Sequence, residues 1–358
     1  MSDIVVEFED DRLGSLTKQL IALGAKNLER LVELREQSRN DESLTQIRTK
    51  EKNEAKTDNR TEKMKHDWYV GMRNGMREID KKAKCVNVHD GFRFLDLGCC
   101  PGGFASYIMG QTEKSSAIGC KGVGISLPTE QAGYDLELSK KLRQSFEIHW
   151  ADLTRYWLGP EDSPRSQESA GEFSELPPGI TDKPFDFVIL GASVIYSEVP
   201  DNRADIDRLL MAQLIIGFMT TRKGGTLIVK LAHIERVMTA KVLYLLHILS
   251  TEVWAVKPLR QHSKQPTFYA VAKGLGNGQQ GGRVAEVVIG LRKLWCCLNF
   301  EGDLFMPAQL DFIITTKDLR DGKEGFLNRM VELGEEVCRV QVIGLQNATK
   351  HSKQHYQR

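Results

Sequence analysis

The most chemically suggestive stretch of the chain is Phe94-Leu95-Asp96-Leu97-Gly98-Cys99-Cys100-Pro101-Gly102-Gly103-Phe104. It reads as an apolar strand, a tight turn and the start of a helix. Gly98, Gly102 and Gly103 let the backbone approach a ligand with no Cβ in the way. Asp96 is placed to bind a cationic or hydroxyl group. The turn lacks the GxxxxGK[ST] lysine of a P-loop. It does not spell GxGxxG either, so a nicotinamide site is disfavoured. Other side chains able to take a new chemical role are Ser193, Tyr196, Glu198, His233, Glu235 and His262. Each is more often a helix cap, a surface group or a packing residue. The seven cysteines form no CxxC pair. They read as free thiols, and no metal site is expected.

A turn of this kind needs a strand and a helix to hold it. From Gly91 to about Leu275, β-rich runs alternate with helical patterns. Strands are expected at 92–97, 122–127, 146–150, 185–190, 226–231, 252–256 and 268–272. Helices are expected at 104–110, 130–144, 206–222 and 237–249. The alternation predicts an α/β fold, a doubly wound and mostly parallel sheet with helices on both faces. In such sheets ligands bind outside the carboxyl ends of the strands, where the strand order reverses.

Around this region lie two additions. Residues 13–36 carry leucines at helical spacing, with a break near Gly24. Residues 40–66 have almost no large apolar side chains and read as a solvated helix or a linker. After the breaker at 274–282 come amphipathic segments at 284–298, 310–319 and 325–342, then a polar end expected to fray. The division expected is a helical extension and charged linker over 1–66, a catalytic-type domain over 67–275 and a C-terminal extension over 276–358.

The 358 residues carry 49 basic and 48 acidic side chains, a net charge of +1. That balance argues against a strongly basic nucleic-acid coater. It conceals a local bias, since 48–84 holds twelve Lys/Arg against seven Asp/Glu. The acidic first residues do not read as a signal peptide. The longest near-apolar stretch, 209–219, is too short for a bilayer, so no membrane partner is expected. A soluble, reducing compartment, cytoplasmic or nuclear, is expected.

LDLGCCPGGFASYI resembles motif I of S-adenosylmethionine-dependent methyltransferases. Its PGGF ending is similar to that of the FtsJ-like family, the RNA ribose 2′-O-methyltransferases. The resemblance continues in order through Phe185–Leu190, through GGTLIVK ending at Lys230, and through Lys257-Pro258 and FYAVA. It covers about residues 68–275 and implies a Rossmann-like methyltransferase fold with S-adenosyl-L-methionine as cofactor. On this resemblance Asp96 and the turn of Gly98, Cys99, Pro101, Gly102, Gly103 and Phe104 hold the methionine end. Ser126 stands where an acidic residue often binds the ribose hydroxyls, and Asp152 matches the acceptor for the adenine amino group. A cap is the alternative role for Asp152.

The family's catalytic Lys–Asp–Lys–Glu set is degenerate here. Lys230 matches the strand-five lysine, and burial in an apolar strand would lower its pKa, which suits a base. A lysine that merely snorkels to solvent is the plainer alternative. Gly191 and Thr267 occupy the two carboxylate positions, and Gly75 the first lysine. Arg73 or Arg77 is a substitute cation but no base. The resemblance implies in-line SN2 methyl transfer to RNA ribose or another hydroxyl. A small-molecule acceptor and a catalytically silent cofactor- or RNA-binding module stay open. RNA is supported by the basic stretch, by Arg222-Lys223, and by Lys257, Arg260 and Lys264. The oligomeric state is not legible.

Overall fold

The computed structural model describes residues 14–39, 61–131, 133–160, 172–193, 203–301 and 306–356. The head forms α1 (Ser15–Ala22) and α2 (Lys26–Arg39), separated at Gly24, whose φ is +97°. Next come α3 (Glu62–Ala83), β1 (Arg93–Leu97), α4 (Gly103–Ser115) and β2 (Lys121–Ser126). A single helical turn, α5 (Lys140–Arg143), leads to β3 (Phe146–Trp150). The sheet region continues through α6 (Pro178–Thr181), β4 (Phe185–Leu190), α7 (Arg203–Thr220) and β5 (Thr221–Ala232). It closes with α8 (Val237–Leu249), β6 (Glu252–Val256) and β7 (Thr267–Lys273). The C-terminal addition contains α9 (Val284–Cys296), α10 (Thr316–Arg320) and α11 (Phe326–Tyr356). Residues 40–60, most of the expected linker, lie outside the described residues. Residues 62–66 belong to α3, whose first turn is capped by Thr61 Oγ1 accepting from Met64 N.

The seven strands form one sheet in the order β3-β2-β1-β4-β5-β7-β6. β3, β2, β1, β4 and β5 are parallel, while β7 runs antiparallel to both β5 and β6. The order therefore reverses between β1 and β4. There the two strand ends are tied together by Gly191 N–H donating to Leu97 O at 3.0 Å.

Side-chain alternation divides the core into two layers. Phe94, Phe187, Ile189, Ile228, Tyr269 and Val271 face α3 and α4. Leu95, Leu97, Val188, Leu190, Leu227 and Val229 face α7 and α8. The second layer also takes Leu16, Leu20, Leu28 and Leu31 from the head, and Phe326, Met330 and Val337 from α11. This explains α8, in which every residue from Thr239 to Leu246 is buried. A helix apolar all round must be covered on two sides, and the C-terminal addition covers the second. Tyr244 meets Phe326 edge-on at 5.1 Å. The buried ammonium of Lys241 is paired with Asp311. α11 runs along the edge strand β6, where Arg329 donates to Val253 O at 2.6 Å. That contact occupies a backbone acceptor on an otherwise open edge. The helix continues to Tyr356, through the polar end expected to fray.

The helix expected over 130–144 does not form. Among the described residues there, only Thr129–Gln131 and α5 are helical. Leu136 and Leu138 are buried between them, and Glu137 N–H donates to Pro101 O at 2.9 Å. The two leucines are spaced for an extended segment. They pack against the glycine turn instead of lining a helix face.

Candidate active site

The turn after β1 is held mainly by backbone. Gly98 N–H donates to Ile125 O at 2.8 Å, and Gly102 N–H to Cys99 O at 2.7 Å. Gly98 and Gly102 have φ of +80° and +102°, values that glycine reaches without strain. A Cβ at Gly98 would strike the backbone of Ala192 in the turn after β4. A Cβ at Gly103 would lie 2.5 Å from Tyr69 O and Met72 Cβ, so this glycine lets α3 seat on the start of α4. Cys99 is buried, and its sulfur fills the space left by Gly124. Its hydrogen bond with the neighbouring Cys100 thiol, and then burial, push its pKa up, so it is no ready nucleophile. Pro101 supplies the carbonyl that meets Glu137, and Phe104 turns into the core with its ring 5.4 Å from Tyr269.

Three polar side chains mark the carboxyl ends of the first three strands. Asp96 is 2% exposed and held by the Ala105 N–H, while its Oδ2 has no partner among the described residues. Burial lifts its pKa to about 7, against the opposing pull of that N–H. Ser126 Oγ accepts from Cys100 N at 3.4 Å. Asp152 Oδ1 accepts from Thr154 N at 2.8 Å and Thr154 Oγ1 at 2.7 Å, so it does serve as a cap.

Across the strand-order reversal lies Lys230. It is partly exposed, yet enough protein surrounds it for burial to lower its pKa to about 8. Its ammonium donates to Ser193 Oγ, and no ion pair holds it among the described residues. Lys230 pairs across the sheet with Tyr269 of β7, which is fully buried. Burial and the Asp96 carboxylate push the Tyr269 phenol up. His262 and Gln261, in the connection from β6 to β7, join this group. The ring of His262 is 6.4 Å from that of Tyr269 and 5.6 Å from Trp68 of α3. Burial and the Lys230 charge lower the His262 pKa to about 3, so its ring is neutral. Sequence reasoning singled out neither Tyr269 nor Gln261. Strand alternation opposite Lys230 was the signal available for Tyr269.

The degenerate positions have their own contacts. Gly75 faces Gln261, whose Oε1 would lie 2.5 Å from a Cβ there. Gly191 uses its backbone to tie β4 to β1, and the carbonyl of Thr267 accepts from Lys257 Nζ at 2.5 Å. Arg73 and Arg77 are exposed on α3. His233 and Glu235 belong to an ionic network with the two additions. Glu235 Oε1 lies 2.6 Å from Arg35 of α2 and 3.2 Å from His233 Nδ1, and Arg35 also reaches Gln341 of α11. Burial works to raise the Glu235 carboxyl, but His233 and Arg35 hold it down at about 2. This network anchors the loop that follows Lys230. Tyr196 and Glu198 lie outside the described residues.

The basic residues separate in the same way. Lys257 is 3% exposed and binds the carbonyls of Gln265 and Thr267, so it offers nothing to an anion outside. Arg222 and Lys223 sit at the amino end of the sheet, where Arg222 pairs with Asp186 at 2.5 Å. Arg260 and Lys264 are exposed near the site. Residues 48–60 of the basic stretch lie outside the described residues.

No curated protein matches the chain by sequence. Among solved structures, the chain is similar to a protein assigned as a ribosomal RNA methyltransferase from Plasmodium falciparum. The identity is 18%, over 57% of this chain and 96% of that one, with a TM-score of 0.39. It is also similar to an rRNA methylase from Streptococcus thermophilus, at 13% identity over 56% of this chain and 97% of that one, with a TM-score of 0.32. The sequence profile of the FtsJ-like methyltransferases matches residues 75–275, which span the glycine turn, Lys230 and the β6–β7 pair. By that match the chain belongs to the FtsJ-like methyltransferase family.

Proposed function

We propose that this methyltransferase acts on a hydroxyl, with Lys230 taking the acceptor's proton. The observation that carries the reading is the state of Lys230. Burial brings its pKa to about 8, and its contact is a neutral hydroxyl instead of a carboxylate. A paired lysine would stay protonated, whereas this one reaches its neutral form near physiological pH.

The residues on the other side of the reversal suit S-adenosylmethionine. The orphaned Asp96 Oδ2 seeks a donor such as the α-ammonium group of the cofactor. The Ser126 hydroxyl proton and the second oxygen of Asp152 are the groups suited to ribose and adenine. The cofactor, when bound, supplies an electrophilic methyl group carried on a sulfonium. The protein's part is to hold the acceptor oxygen in line, which alone removes much of the barrier, and to accept its proton. RNA ribose is one such acceptor, supported by exposed Arg260, Lys264 and the basic residues of α3.

Incubation with methyl-labelled S-adenosylmethionine and cellular RNA or extract tests the reading. Label should appear in product and be lost in Lys230→Met. A protein that binds cofactor but labels nothing, or a Lys230→Met variant that labels normally, would show a silent binding module or another base.

A further inference from the structure

Two loops flank Lys230: residues 233–236, which follow its strand β5, and residues 257–266, which lead into the partner strand β7. Both contain a backbone conformation that is unfavourable for a residue with a Cβ. Among the described residues, four that are not glycine have a positive φ. Lys84 and Ser116 are the C-caps of α3 and α4. The other two are His233 at +54° and His262 at +60°, one in each loop. Such conformations persist where the surroundings hold them.

The holding groups come from the two additions. Arg35 of α2 donates through one guanidinium nitrogen to Glu235 at 2.6 Å and through another to Gln341 of α11 at 3.0 Å. Glu235 also meets His233 Nδ1 at 3.2 Å, so the first loop is gripped at both residues. Gln341 is 3% exposed and donates in turn to the Lys264 carbonyl of the second loop at 3.5 Å. At Gly344 of α11 a Cβ would lie 2.5 Å from Ser263 O, so helix and loop backbones pack closely. The loops are joined to each other by His233 N–H donating to Pro266 O at 3.3 Å. One forked side chain thus links the head, α11 and both loops, a task that suits a planar guanidinium.

Lys230 needs such support. A base that titrates near neutral pH cannot be steadied by a carboxylate of its own, which would keep it charged. Lys230 has no ion pair among the described residues, and Gly191 and Thr267 stand at the family's two carboxylate positions. Its aim therefore depends on the backbone that carries it and on the loops at either side. We infer that Arg35 is a positioning residue for methyl transfer, and that the head and α11, which lie outside the matched residues 75–275, form a brace that aims Lys230. This rests on Lys230 being the base, as proposed above.

The test gives the full chain methyl-labelled S-adenosylmethionine and whole cell extract, and reads the maximal labelling rate. Arg35→Met should lower that rate about 10- to 100-fold, up to the cost of misplacing a reacting group by about 1 Å. Calorimetric cofactor affinity should stay unchanged. Arg35→Met leaves Glu235 as an unpaired buried charge, so Arg35→Met/Glu235→Gln guards against a folding defect and should show the same fall. Arg35→Lys keeps the Glu235 pair and should recover part of the rate. The deciding readout is a double-mutant cycle: in a Lys230→Met background, Arg35→Met should lower the rate no further. Full rate in Arg35→Met or in Arg35→Met/Glu235→Gln, or an equal fall in both backgrounds, would overturn the brace. A Lys230→Met chain that labels normally, or a wild type that binds cofactor and labels nothing, would instead sink the base assigned to Lys230, and the brace with it.

Discussion

Two halves of one sheet edge are built to different plans. At the ends of β1, β2 and β3, each polar side chain is tied to nearby backbone, although Asp96 Oδ2 has no partner among the described residues. Asp96 is held by Ala105 N–H, Ser126 by Cys100 N–H and Asp152 by Thr154 N–H. On the side of β4, β5 and β7, Tyr269, His262 and Gln261 each have a polar atom with no hydrogen-bond partner among the described residues, and Lys230 donates to Ser193. The first half is held by local backbone contacts and, on the function proposed above, takes the cofactor. The second half gathers side chains from β5, β7 and the connection from β6 to β7 and, on the same proposal, takes the acceptor.

The largest expected break in this comparison is Lys230→Met. It should reduce methyl transfer about 10²- to 10⁴-fold, the usual worth of a general base, while cofactor titration stays unchanged. Loss of cofactor binding would merge the two halves into one site.

Next in size is Gly103→Ala. Its Cβ would press on Tyr69 O and Met72 Cβ, and overpacking of this kind costs about 1–3 kcal/mol. Denaturant unfolding should show that loss. An unchanged midpoint would mean that α3 is seated loosely.

The pH profile sharpens the acceptor half. Below about pH 8 the rate should rise with pH, because Lys230 must lose its proton, and then level off. The same shift carries a sign for stability. Between about 8 and the ordinary 10.5 the folded chain binds fewer protons at this lysine than the unfolded chain, so this contribution to stability rises with pH. A flat rate profile from pH 6 to 9 would remove Lys230 as the base.

The smallest effect expected is at Ser126→Ala. It should weaken cofactor affinity by up to about tenfold, one neutral hydrogen bond's worth. A larger loss would mean that the serine also fixes the turn through Cys100.

Much of the first half is legible in the sequence. The apolar run, the glycines and Asp96 are consecutive, so local pattern places them together. Lys230 is legible because a glycine pair and an apolar strand precede it. The tyrosine opposite it is a matter of register between β5 and β7, set by residues about forty positions apart in the chain. Local pattern also misled at 130–144, where apolar spacing of two sat inside a stretch otherwise compatible with a helix. Lys257 reads as a surface cation, yet tertiary packing buries it against two carbonyls.

Calorimetric titration of the wild-type chain and of Asp96→Ala with S-adenosylmethionine decides whether Asp96 and the glycine turn hold the cofactor. A binding heat is expected for the wild type and an affinity reduced at least about tenfold in the variant, since a charge-assisted hydrogen bond is lost. No heat with wild-type protein at high micromolar concentration, or the same isotherm from both proteins, would show that they do not.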